Sequence, residues 1–175
     1  MPQYIRKIDG GRTWFFTVNL QNRKSQTLTK HIDILRASVK KVRTRYPFEI
    51  NAWVVLPDHM HAVWTLAEED SDFSLRWRLI KTYFVKSLSD SERVPLRNEK
   101  RGEAGLWQRR FWEHQIRDAE DYKNHIEYCY INPVRHGYVQ RVRDWPYSSF
   151  HRDVQGGEFP TSWGGPTNIT PLPME

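Results

Sequence analysis

The nineteen residues FEINAWVVLPDHMHAVWTL, from Phe48 to Leu66, decide the fold. Two runs rich in β-branched and aromatic residues, Phe48–Leu56 and His59–Leu66, flank Pro57-Asp58, a pair that favours a tight turn, so the stretch reads as a β-hairpin. Along its second arm the two-residue period of a strand sends Met60, Ala62, Trp64 and Leu66 to one side and His59, His61 and Val63 to the other. The apolar set calls for helices over it, and both imidazoles then lie on the opposite face. Histidines two apart on a strand have Cα atoms roughly 7 Å apart, near enough for both rings to converge on one cation. A pair of ordinary hairpin histidines has the same short spacing, and the two readings stand side by side.

Upstream, Arg12–Leu20 (RTWFFTVNL) reads as a strand. Leu28, Ile32, Leu35, Val39, Val42 and Tyr46 follow at steps of three and four, the stripe of an amphipathic helix that Thr27 can cap and Pro47 ends. Downstream, an acidic loop at Glu68–Asp72 leads into a helix whose buried stripe is Phe73, Trp77, Ile80, Phe84 and Leu88. Ser89–Leu106 is polar and reads as a loop, Phe111–Arg117 as a fourth strand, and Asp118 caps a third helix running to about Asn132, before Pro133. The order β-α-β-β-α-β plus a helix predicts an α+β fold: an antiparallel sheet with two helices on one face and the third helix on the other. Residues 1–152 read as one domain, and 153–175, dense in Gly and Pro, as an irregular tail.

The chain has 175 residues, and its 8 Trp, 8 Tyr and 8 Phe must build a core from few, large side chains. A single cysteine, Cys129, excludes an internal disulfide and a cysteine-only metal cluster. No apolar stretch approaches the roughly 18 residues that span a bilayer, and Met1–Gly11 lacks a signal peptide's apolar run, so a cytoplasmic protein is expected. Residues 1–47 hold eleven Lys and Arg against two Asp. Such a basic segment beside many aromatic rings favours a nucleic-acid partner, with a solubilising basic face as the alternative.

On the third helix Ala119, Tyr122, Ile126 and Cys129 form one stripe, with Tyr130 at its margin, and that stripe reads as core. Tyr128 falls on a polar flank with Asp121, His125 and Asn132. Tyr128 and Asn132 are one turn apart, about 6 Å in rise, and face the same neighbour. If that neighbour is the histidine face of the sheet, Asn132 can complete a three-ligand site within reach of Tyr128; the alternative is an amphipathic surface tyrosine.

Several widely spaced motifs in one order resemble the REP-associated tyrosine transposases, relatives of the single-tyrosine HUH transposases (His, bulky hydrophobic residue, His). They are Trp53-Val54-Val55-Leu56-Pro57-Asp58-His59-Met60-His61; Phe73-Ser74 with Arg76-Trp77-Arg78 and Ile80-Lys81; Trp107-Gln108 with Arg110-Phe111-Trp112-Glu113-His114; and Tyr128-Cys129-Tyr130-Ile131-Asn132-Pro133-Val134 with His136-Gly137. The resemblance runs from about Tyr4 to His151. It implies a ferredoxin-like sheet, His59 and His61 as metal ligands, Tyr128 as nucleophile and Asn132 in the third ligand's position. It further implies a magnesium or manganese ion and, as substrate, palindromic repeats of bacterial genomes bound as single-stranded hairpins with unpaired flanks.

The expected activity is cleavage and rejoining of single-stranded DNA through a covalent 5'-phosphotyrosine intermediate. Arg76, Arg78, Lys81, Arg109, Arg110 and Arg117 are candidates to bind phosphates and Trp112 to stack on a base, each with an ordinary solvated or core role as the alternative. His114 and His136 read as structural, and no general base is assured, although His125 and Asp121 precede Tyr128 on its helix. Nothing demands more than a monomer. Two competing functions remain: a protein that coats repeat hairpins without cutting, and a metal phosphodiesterase that uses activated water.

Overall fold

The computed structural model describes residues 11–94 and 105–165. Strands β1 (Thr13–Asn19), β2 (Phe48–Val55), β3 (His59–Leu66) and β4 (Trp112–Gln115) form one sheet in the order β2-β3-β1-β4. Every pairing is antiparallel. This is the ferredoxin-like order expected from β-α-β-β-α-β. The helices are α1 (Thr27–Lys30), α2 (Ile32–Arg45), α3 (Phe73–Ser87), α4 (Ala119–Arg135) and α5 (Phe150–Gln155).

The sheet separates two apolar cores. Phe16 and Val18 of β1, Met60, Ala62, Trp64 and Leu66 of β3, Leu35 and Val42 of α2 and Trp77, Ile80 and Phe84 of α3 share the first. At its centre the Trp64 and Trp77 rings stack 4.2 Å apart at 17°. Phe15 of β1, Ala52 and Val54 of β2, Val63 of β3 and Tyr122, Ile126, Cys129 and Tyr130 of α4 form the second. A β-bulge between Ile50 and Ala52 inserts Asn51, so Ile50 and Trp53 reach the same core although three apart. Were Asn51 an ordinary strand residue, strict alternation would carry Trp53 to the opposite face from Ile50.

Four local features differ from the sequence reading. The first helix breaks at His31 (φ −113°, ψ 38°), and Thr27 lies inside α1 rather than capping it. There the Leu28 N–H donates to Pro57 O at 3.2 Å and Leu28 is buried, so docking on the hairpin turn outweighs a continuous helix. Ala119 is exposed, whereas Tyr130, placed at the margin of the stripe, is fully buried.

The third difference is that α4 runs through Pro133. A proline costs one backbone hydrogen bond, and here the helix continues one more turn to stop in a Schellman motif. Gly137 (φ 76°) donates to Val134 O and Tyr138 N–H to Pro133 O, both at 3.0 Å. Fourth, the boundary drawn between 152 and 153 falls within α5, and beyond it Phe159, 3% exposed, and Trp163 pack on the second core. Of the expected Ser89–Leu106 loop, residues 95–104 lie outside the described residues, as do 166–175 of the tail. Among the described residues no helix is long and apolar enough to cross a membrane.

Arg76 belongs to this framework and not to a binding surface. It is 2% exposed, and its guanidinium donates to Asp70 (2.6 and 3.1 Å), Asp72 O, Tyr46 O and Pro47 O. Five donors in a planar fork match that ring of acceptors, which leaves no face for a phosphate. Arg76→Met should therefore destabilise the fold by about 2–4 kcal/mol in urea titration, because carbonyls and a carboxylate lose their donors. Affinity for the nucleic-acid partner expected from the sequence should not change in the folded variant; a selective loss of affinity would contradict this placement.

Candidate active site

His59 and His61 project from β3 onto the α4 side of the sheet, where both are buried. Their rings lie 5.1 Å apart at 83°. Each has its Nδ1 engaged: His59 Nδ1 is 2.8 Å from Asp58 Oδ1, and His61 Nδ1 is 2.8 Å from Thr17 Oγ1. A ring that donates through Nδ1 keeps its lone pair on Nε2, the arrangement a metal-ligating histidine adopts with its outer partner. Burial, with His59 and His136 nearby, holds the His61 pKa well below the usual range, so the ring is neutral at pH 7.

Asp58 is the anionic support of this face. Burial works against its charge, but hydrogen bonds from His59 and Arg23 prevail and hold its carboxyl below the usual range. Arg23 donates through Nε to Asp58 Oδ2 and through Nη1 to Asn19 Oδ1, each at 2.7 Å.

Helix α4 brings the rest. Its N-terminus is fixed by Asp118, whose Oδ1 accepts the Asp121 N–H at 2.8 Å. The apolar stripe from Tyr122 to Tyr130 anchors it, and Tyr128 and Asn132 face the histidines. The Tyr128 ring stands 5.1 Å from that of His61 and 5.8 Å from that of Phe15, with the Arg135 guanidinium 5.3 Å over it. Asn132 is 2% exposed, and its Oδ1 makes no hydrogen bond of good geometry among the described residues, although the side chain lies close enough to the His61 ring to favour that ring's proton against burial. A buried carbonyl oxygen left unsatisfied costs about 1–3 kcal/mol unless something meets it. Beside two imidazoles whose Nδ1 atoms are already engaged, that oxygen suits a divalent cation.

The other helix tyrosines have different surroundings. Tyr130 is fully buried, donates to Asp153 and shares a hydrogen bond with Ser149, and burial together with Asp153 raises its pKa far above the ordinary value. Tyr122 is buried in the second core.

A cleft of about 670 Å³ opens over the two histidines. Of the sequence-derived candidates it gathers His59, His61, Tyr128, Asn132, Arg110 and Trp112, the last 55% exposed. Lys81 lies behind it: its Nζ donates to Gln108 O at 3.2 Å and rests over Trp107 and Phe111, and burial lowers its pKa to about 8. Arg78, Arg109 and Arg117 are exposed but line no part of the cleft. Among its other lining residues, Arg23, Asn19, Thr17 and Arg135 were not singled out by the sequence, and His136 was given no role at the site. His136, read as structural, has its ring 5.0 Å from His59 because the Schellman turn ends α4 beside the hairpin. The phase of a cap residue gave no sign of this.

A scan against protein-family models matched none. A curated protein of Escherichia coli K12 named REP-associated tyrosine transposase is 52% identical over 165 residues, covering 94% of this chain and 92% of the relative. A Haemophilus influenzae protein provisionally given the same name is 46% identical over 166 residues, covering 94% of each chain. A solved structure of a REP-associated tyrosine transposase bound to a REP hairpin superposes with a TM-score of 0.80 at 50% identity, covering 99% of this chain and 96% of the other. Identity at this level over nearly the whole of both chains, on the same four-stranded sheet, makes this chain a member of the REP-associated tyrosine transposase family.

Proposed function

We propose that the chain is a divalent-metal-dependent endonuclease and strand transferase that cuts single-stranded DNA beside palindromic repeat hairpins through a 5'-phosphotyrosine on Tyr128. The observation that carries this reading is the Tyr128 ring 5.1 Å from His61, over the cleft that also holds His59 and Asn132. The hairpin bound to the related structure supplies the substrate class.

His59 and His61 through Nε2, with Asn132 Oδ1, would hold Mg2+ or Mn2+. When bound, such an ion polarises the nonbridging oxygens of a scissile phosphate. Tyr128 Oη attacks phosphorus, the bond from phosphorus to the 3'-oxygen breaks, and the proton lost by the phenol ends on the released 3'-hydroxyl. One phosphodiester replaces another, so rejoining by a 3'-hydroxyl needs no nucleotide cofactor. Arg135, over the Tyr128 ring, places positive charge beside the developing phenolate. Arg110 and Arg23 offer further cations to the DNA backbone, and the exposed Trp112 offers a ring to an unpaired base.

The reading is of a monomer at work on chromosomal DNA in a bacterial cytoplasm. Its test is a 3'-end-labelled hairpin oligonucleotide with unpaired flanks, incubated with the chain and Mg2+ and then denatured. The label should migrate with the protein, since the downstream fragment keeps the 5'-phosphate. Cleavage without an adduct would point to activated water, and tight binding without cleavage to a coat protein.

Strand preference follows from the same surface. A flanked hairpin should be cut in its unpaired segment and a fully paired duplex of the same sequence should not, because a stacked base cannot meet Trp112. Affinity should fall with salt, each phosphate contact contributing roughly −0.7 to the log–log slope. Equal cutting of both substrates at matched salt would refute the preference.

A further inference from the structure

Behind the cleft, where β4 meets the start of α4, a second set of ligating side chains has no part in the strand-transfer chemistry. His114 Nε2 is 2.8 Å from Asp121 Oδ2, and His125 Nδ1 is 3.1 Å from Asp121 Oδ1 and 2.8 Å from the Asp121 backbone O. One ligand atom from each residue lies within 4.8 Å of the others. The imidazoles stack 4.7 Å apart at 17°, and none of the three residues lines the cleft. The Phe15 ring contacts His125 at 4.7 Å and Tyr128 at 5.8 Å, and so stands between the two places.

We propose that His114, Asp121 and His125 form a separate zinc site, distinct from the cation site of the cleft. The ligand set is two imidazoles and one carboxylate, a combination that zinc accepts with its fourth position left to water. Zinc–ligand bonds of about 2.0–2.2 Å at tetrahedral angles put neighbouring ligand atoms about 3.3–3.5 Å apart. The present contacts of 2.8 and 3.1 Å are shorter by only a few tenths of an ångström, a difference within side-chain rotation, and on ligation through Nδ1 His125 would exchange its hydrogen bond to the Asp121 backbone O for the metal, releasing the Nδ1 proton.

The site is also built. Asp121 and His125, one turn apart, share a face of α4, and Asp118 caps the turn that holds Asp121. His114 sits on β4, opposite Phe15 in the ladder with β1. Asp121 is 8% exposed, and the side chains of His125 and His114 are 13% and 26% exposed. The charges facing the carboxylate are Arg117, at 3.4 Å through an Nε on a largely exposed side chain, and the two imidazoles; the Arg117 backbone N–H also donates at 2.9 Å. Burial is the leading influence that keeps His125 neutral, while hydrogen bonds keep Asp121 ionised against its own burial. Nitrogen ligands of this kind rank zinc and cobalt well above magnesium.

The zinc site is independent of the proposed strand transfer, and its test reads metal rather than activity. The full chain carrying His59→Ala and His61→Ala should bind one equivalent of Co2+ with the visible bands of a tetrahedral ion, displaced by Zn2+. His114→Ala added to that background should abolish binding, and Asp121→Asn should weaken it more than tenfold. Absence of bound Co2+, or binding unaltered by His114→Ala, would overturn the proposal and leave the trio as a hydrogen-bonded clamp. Should the double background not fold, zinc stoichiometry by equilibrium dialysis decides: the wild-type chain should exceed its His114→Ala variant by one ion, and equality would overturn the site.

Discussion

Tyr128→Phe is expected to eliminate the covalent adduct and cut cleavage by at least about a thousandfold, with hairpin affinity within about threefold of wild type. The substitution removes one oxygen and keeps the ring that packs on Phe15 and His61 and lies beneath Arg135. Binding energy spread over cations and Trp112 should survive, whereas the bond to phosphorus has no other atom to form through. Tyr130→Phe is the informative control. It removes the donor to buried Asp153 and should cost about 1–3 kcal/mol of stability, yet leave adduct formation intact at temperatures where the variant is folded. Adduct in the Tyr128→Phe variant, or its loss only in Tyr130→Phe, would relocate the nucleophile.

His59→Ala and His61→Ala should each reduce cleavage by about two orders of magnitude or more, as should chelation of the wild-type chain, with the adduct restored by excess Mg2+ or Mn2+ only in the last case. His61→Ala also strips Thr17 Oγ1 of its ring partner, so its thermal midpoint should fall further than the exposed surface alone would suggest. Asp58→Asn separates support from ligation: it keeps an acceptor for His59 Nδ1 but loses the charge, and should raise the metal concentration needed for half-maximal cleavage. Full activity of either alanine variant in chelator would end the metal reading.

The parts of the fold that the sequence disclosed are those governed by a short period. Alternation in β3 assigned His59 and His61 a face, and the 3.6-residue stripes of α2, α3 and α4 assigned the helices theirs, because one residue of error would put polar side chains into the apolar cores. What stayed hidden depends on neighbours far away in the chain. Arginine type alone suggested an exposed Arg76, and only the carbonyls of Tyr46 and Pro47 make it a framework residue. Pro133 suggested a helix end, and only the Gly137 turn shows that the helix outlasts it and delivers His136 to the site. Arg23 and Arg135 carry no local signal; each joins the cleft through a side chain that reaches across a turn or back over its own helix.

The double-sided burial of β3 sets a limit on the bookkeeping of DNA movement. Helix α4 is sewn into the second core by Tyr122, Ile126, Cys129 and Tyr130, which keeps Tyr128, the proposed nucleophile, over the sheet that carries His59 and His61. With Tyr128 as the nucleophile, each polypeptide holds one severed end at a time. Removing a segment takes two cuts, and the first linkage must be resolved before the same chain makes the second, or else two chains must each hold one end. Excision is thereby either sequential or a matter of two molecules meeting on one DNA.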